Sequence, residues 1–335
     1  MELRKQKIDY ITFIQSLAVT LVVIGHSFPK EILTDSLPAW AACIRSLIYS
    51  FHMPLFFVLA GFLFVYSFEK KGLGSFKEFF IKKFNRLIIP YIAVGSVAYC
   101  LKTFIFNSFA YRPSTPSALF YLKSMLYPLS NPNIYLWFLP TIFIVFLIFY
   151  FLVGRKKYIV PIFVFSLMLS VLSDNISISF LNIQGVLYYI FYFVCGIMIF
   201  YYKNKLFDLF KNKFFILTTL SIYLSIYLSI YLSAISSDIV KIPLALCGIV
   251  LSFSMALICS DKNYKFLWGI LDGWYYQIYL LSWFAQTGLR IFYQINLISY
   301  YTCVIIMILG AFLFSFLMIK IIANYFPRLK IFIGM

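Results

Sequence analysis

Residues 15–29 read QSLAVTLVVIGHSFP. With the apolar ITFI that precedes it, this run reaches the ~20 residues a helix needs to cross a bilayer, and it ends on a histidine. The chain has only two histidines, His26 and His52. An ionisable group at membrane depth is costly to place, so each marks a candidate functional site. Gln15 lies eleven residues before His26, which at 100° per residue is three turns plus about 20°. The two therefore share a face, roughly 16 Å apart along the axis.

The rest of the chain repeats the apolar character of this stretch. Of 335 residues, 63% are hydrophobic and 12% charged, with a mean hydropathy of +0.93. A soluble domain is nearer half apolar and a quarter charged. The expected fold class is an all-α integral membrane bundle forming one domain over residues 1–335. Ten spans are expected, near 11–29, 48–68, 87–107, 134–153, 158–174, 185–202, 214–235, 241–259, 270–292 and 299–325. The apolar run after MELRKQKIDY is too long for a signal-peptide core and no small-residue cleavage site follows it, so it is read as the first span.

The net charge of +17 would suggest nucleic acid in a soluble protein. Here the 28 basic residues cluster in short loops, as expected for membrane topology, and nucleic acid is not an expected partner. With the N-terminus inside, only Lys30, Arg45, Lys102, Arg112, Lys123, Lys241 and Arg290 fall outside. That bias, roughly three to one, places both termini in the cytoplasm. The six cysteines show no paired or metal-ligand spacing, so neither a disulfide framework nor a metal site is expected.

Between spans, EKKGLGSFKEFFIKKFNR (69–86) reads as an interfacial amphipathic segment. The proline-rich 107–133 stretch is expected to pack on the outer mouth of the bundle. SIYLSIYLSIYLS (221–233) repeats every four residues and lays Ser221, Ser225, Ser229 and Ser233 in a slowly drifting small-residue stripe, expected to serve helix packing.

The chemistry-bearing residues are few. Neutral imidazole, with a pKa of about 6.5, suits His26 to general-base work; alternatively His26 bonds a loop carbonyl at the interface. His52, in FHMPLFFVLAGFLF (51–64), enters from the same side. It either orients the corner between the first two spans or supports catalysis by His26. Pro54 fits the first turn of a helix. In KKFNRLIIPY (82–91), Lys83 and Arg86 are three apart and expected on one helical face, suited to a phosphate or anionic headgroup or to anchoring at the inner surface. Gln184, Gln277 and Gln286 are buried-polar candidates, and no soluble hydrolase, kinase or metalloprotease motif is present.

Taken together, these motifs resemble the membrane acyltransferase-3 family of bacteria across most of the chain. IDYITFIQSLAVTLVVIGHS (8–27) and FHMPLFFVLAGFLF are similar to its first two helix signatures, and FIKKFNRLIIPY (80–91) to its inner basic motif. YLWFLPTIF (135–143), FYFVCGIMI (191–199) and WYYQIYLLSW (274–283) are similar to later landmarks. The resemblance implies ten helices around a groove in the bacterial inner membrane. It implies transfer of an acyl group, acetyl being the expected one, from cytoplasmic acyl-CoA to a hydroxyl of a surface polysaccharide or lipid-linked glycan precursor. No bound cofactor is implied. His26 matches the catalytic histidine, and Lys83 and Arg86 match an RxxR pair associated with the donor. The chain departs from the family at Gln15, where arginine is usual, at Lys83 for the first arginine of the pair, at Ala60 for a common serine, and at Ser282 for a late histidine. The candidate catalytic residues are thus His26 and His52, and the candidate substrate-binding residues Gln15, Lys83 and Arg86. A transporter or flippase is the alternative reading; the chain shows no two-fold repeat of its motifs to favour it. A catalytically silent sensor is a third.

Overall fold

The computed structural model describes residues 9–30, 36–110, 113–232, 240–264 and 268–335; Glu31, Arg112 and Ser233 lie outside them. Among the described residues there are helices and no strands. They are α1 (Asp9–Gly25), α2 (Ala39–Tyr49), α3 (His52–Lys71), α4 (Phe76–Lys83), α5 (Ile89–Phe104), α6 (Ala118–Leu126) and α7 (Phe138–Tyr150). After them come α8 (Ile159–Leu172), α9 (Ile183–Tyr201), α10 (Lys203–Lys211), α11 (Lys213–Tyr231), α12 (Lys241–Asp261), α13 (Tyr275–Gln294) and α14 (Tyr300–Tyr325).

Seven helical stretches among the described residues are long and apolar enough to cross a membrane: Ala39–Lys71, Phe76–Phe104, Lys156–Asn175, Phe180–Tyr201, Lys213–Tyr231, Lys241–Asp261 and Tyr300–Tyr325. The other expected spans are helical but weaker by that measure. Asp9–Gly25 and Ile134–Tyr150 are apolar and shorter. At 1.5 Å per residue, the 17 residues of α1 cover about 26 Å, a little less than the ~30 Å hydrocarbon layer. α13 has the length but is diluted by Gln277, Ser282, Gln286 and Arg290.

α1 packs against α2, α3, α12 and α13, and α3 against α9. The α3–α9 crossing explains two of the sequence landmarks. A Cβ on Gly61 would stand 2.0 Å from the Phe193 carbonyl oxygen, and one on Gly196 would stand 2.0 Å from that of Val58. Two backbones meet there with only hydrogens between them, as small residues permit in membrane bundles. Around the crossing, Phe57, Phe62, Phe191, Tyr192 and Phe193 are fully buried. α8 and α11 lie at the periphery, where 22% and 17% of their apolar windows are buried, against 61% for α2–α3. Their outward apolar side chains suit contact with lipid.

The structure adds to the reading of one connecting segment and corrects that of one helix. The 107–133 stretch is not a plain loop: it contains α6 and is fastened to α5 by the hydroxyls of Tyr91, donating to Met125 O at 2.7 Å, and Tyr99, donating to Thr115 O at 2.9 Å. In the SIYL repeat, the serines are not the packing stripe. Ser221 and Ser225 are exposed, whereas Tyr223 and Tyr227 are buried. Serine and tyrosine, two positions apart, fall on opposite helix faces. The tyrosine face buries more apolar area and brings a hydroxyl to bond with. Tyr227 donates to Cys43 O at 2.8 Å and its oxygen is 2.7 Å from Ser46 Oγ; Tyr223 donates to Leu47 O at 3.2 Å and meets Ser50 Oγ at 3.0 Å. α2 is thus held from behind by two rungs, four residues apart on both helices.

Gly61→Ala should lower thermal stability in detergent by about 1–3 kcal/mol, since the added methyl meets backbone rather than a movable side chain. Gly288→Ala, with nothing within 4 Å of its Cβ, is the control. Equal melting temperatures for the two variants would refute the close crossing.

Candidate active site

α1 ends at Gly25, where a Cβ would lie 2.8 Å from the Tyr49 ring, so glycine lets α2 approach the helix end. The next residue, His26, lies in the turn that follows. It is crowded by protein yet keeps some accessible surface. Its Nδ1 is 2.9 Å from the Tyr49 hydroxyl and its Nε2 3.5 Å from the same atom. The Tyr135 ring stacks on the imidazole, with centres 3.9 Å apart and planes 29° apart.

These neighbours are held in turn. Tyr135 donates to Gln286 Oε1 at 2.7 Å. Gln286 Nε2 donates to Val23 O at 2.8 Å and Ser27 Oγ at 2.9 Å, and Ser27 Oγ donates to Val23 O at 2.7 Å. The cause is local. A helix leaves its last carbonyls without intrahelical donors, and at the end of α1 Ser27 N turns back to Ile24 O. The Val23 carbonyl then takes its donors from a serine hydroxyl and from α13. Tyr279 of α13 also donates to the Tyr135 carbonyl.

His52 is buried, with Nδ1 2.9 Å from Ile48 O, and its ring centre is 4.9 Å from that of Tyr49. It braces the tyrosine that touches His26. The sequence identifies no hydrogen-bond partner for His26; among the described residues that partner is Tyr49, which no sequence motif marks.

Lys83 and Arg86 form a second group. Residues Phe84–Ile88 make a π-helical turn, a widened turn that occurs often at functional sites. Across it the Arg86 charge still acts on Lys83, while each side chain meets a different ring. Lys83 Nζ stands 3.3 Å from the centre of the Phe146 ring of α7, and the Arg86 guanidinium 5.9 Å from that of Tyr276 of α13. Pro90 has no N–H to offer the carbonyl four residues back; that carbonyl, on Arg86, accepts from the Tyr276 hydroxyl at 2.6 Å. Gln277 donates to Ile333 O at 3.3 Å, docking the Pro327–Ile333 turn beside this group.

Tyr276 and Tyr279 stack with centres 6.4 Å apart. A continuous line of contacts therefore runs from Arg86 through Tyr276, Tyr279 and Tyr135 to His26. Gln15 is half-buried and, among the described residues, its side chain joins neither group by a hydrogen bond. Ser282, one turn from Gln286 on the same face of α13, is fully buried with its hydroxyl unpartnered among the described residues.

A family model described as "Acyltransferase domain" matches residues 8–332. No curated protein and no solved structure matches the chain.

Diethyl pyrocarbonate should modify His26 well before His52, read by mass spectrometry on the purified protein, because only His26 keeps accessible surface. Gln286→Leu should speed modification of His26 and lower thermal stability, since it strips a donor from Val23 O and the acceptor from the Tyr135 hydroxyl. Equal rates at the two histidines in the wild type would contradict the greater exposure of His26.

Proposed function

Starting from the chain's membership of the acyltransferase-3 family, we propose that it transfers an acyl group, acetyl in the first instance, from cytoplasmic acyl-CoA to a hydroxyl of a surface polysaccharide or lipid-linked glycan. The protein is a multi-pass membrane acyltransferase. Its proposed setting is the bacterial inner membrane, with ten crossings and both termini cytoplasmic. The basic residues concentrated in the Lys70–Arg86 segment support that orientation.

The observation that carries the reading is the geometry at His26. With its proton on Nδ1, the imidazole donates to the Tyr49 oxygen at 2.9 Å and keeps the Nε2 lone pair for the acceptor. The acceptor hydroxyl gives its proton to Nε2 as its oxygen attacks the thioester carbonyl. The tetrahedral intermediate then collapses, the carbon–sulfur bond breaks, and the proton passes from the imidazolium to the departing coenzyme A thiolate. Tyr49 fixes the tautomer, His52 braces Tyr49, and the Tyr135–Gln286 pair holds the ring plane. Lys83 and Arg86 serve the phosphates of the donor. Gln15, one face of α1 below His26, borders the donor path with a neutral amide where the family usually carries arginine.

His26→Ala should reduce transfer from labelled acetyl-CoA to extracted surface glycan by about 10²–10⁴-fold and leave membrane insertion and melting temperature unchanged. Transfer near the wild-type rate would sink the assignment. For orientation, single cysteines at the exposed positions Lys77 and Ser117 are placed in a chain whose exposed Cys100 is replaced. In intact cells the first should resist an impermeant thiol reagent and the second react. The opposite pattern would reverse the donor and acceptor sides.

A further inference from the structure

Tyr223 and Tyr227 hold one face of α2. On the opposite face Arg45 and Tyr49, four residues apart, turn to His26. The Arg45 guanidinium stands 4.8 Å from the centre of the Tyr49 ring, whose hydroxyl touches His26. Its charge reaches both His26 and Tyr135. Among the described residues Arg45 makes no ion pair. Arg290 of α13 adds a second positive charge acting on Tyr135. Basic residues are disfavoured on the outer side of a membrane protein, yet of the seven assigned there Arg45 acts on His26 and Arg290 on the Tyr135 ring stacked over it.

We propose that the glycan acceptor carries an anionic group, a uronate carboxylate or a phosphodiester, which Arg45 binds beside the hydroxyl to be acylated. The inference takes the outer acceptor site of the preceding section as given. The donor offers no anion at this point, because the phosphates of acyl-CoA belong with Lys83 and Arg86 and the thioester end is uncharged. An acid on the acceptor meets the charge of Arg45, which no described residue pairs. The guanidinium fork suits it, since two parallel N–H donors grip a carboxylate or phosphate and fix its orientation. Anchoring the sugar on α2 then sets which hydroxyl meets Nε2.

The test is a fluorescence titration of the purified full chain in non-ionic detergent. Three saccharides are compared: an oligouronate, its carboxyl-reduced counterpart, and a phosphodiester-linked oligomer of similar length. Acetyl transfer to each is measured on the same samples. Wild type should bind at least one of the anionic saccharides about tenfold or more tighter than the neutral one, as a charge-assisted pair implies; whichever is tighter identifies the anion. Arg45→Gln should abolish the discrimination, leave affinity for the neutral saccharide unchanged and keep the melting temperature. Arg45→Lys should restore part of it, and His26→Ala should retain it in full. No discrimination by the wild type overturns the inference. So does an equal loss for charged and neutral saccharides in Arg45→Gln, which is what an arginine serving lipid phosphate or α2 packing would give. Discrimination without transfer to any saccharide would instead defeat the acyl-transfer reading and leave the anion site standing.

Discussion

A helix that stops inside an apolar bundle leaves carbonyls that water cannot reach, and each needs a donor from elsewhere in the protein. At the end of α1 this need is met by Ser27 and Gln286 on Val23 O. Because Gln286 also accepts from Tyr135, whose ring covers His26, satisfying the helix end and aiming the imidazole are one arrangement. His26 is fixed less by its own bonds than by the carbonyl three residues before it.

The same demand recurs along α13. Tyr276 serves the Arg86 carbonyl that Pro90 leaves open, Gln277 the Ile333 carbonyl, Tyr279 that of Tyr135 and Gln286 that of Val23. Four segments distant in sequence are registered against one helix through their backbones. This accounts for much of the modest apolarity of α13: Tyr276, Gln277, Tyr279 and Gln286 face protein, where their partners are. It also accounts for the line of tyrosines between Arg86 and His26, the two groups that the proposed reaction uses.

Much of the fold was legible because membrane spans announce themselves by length and apolarity; most of the expected stretches overlap helices to within a few residues. His26 was legible for a related reason, as one of two ionisable rings at helix ends. Tyr49 was not, since one tyrosine among 27 carries no signal until α2 is folded against α1. The break at Ser50–Phe51, which separates α2 from α3, lies inside a continuous apolar run. The π turn at Phe84–Ile88 has no signature in the periodicity, which assumes a regular α-helix through Lys83 and Arg86. The SIYL repeat misled through composition: small residues are a known packing signal, but the tyrosines opposite them had more to bury and a hydroxyl to donate.

That repeat has a geometric property of its own. Four residues turn a helix by 400°, so each unit places its tyrosine about 40° further round than the last. Tyr223 and Tyr227 both still face α2, whereas Tyr231 has rotated away and is 45% exposed. A motif copied without change along a helix therefore cannot make a contact of unlimited length; the mismatch between a period of 4 and one of 3.6 ends it after two rungs. α11 carries its own vernier, and the segment of α2 it grips, Cys43 to Ser50, is the one that presents Arg45 and Tyr49 to the site.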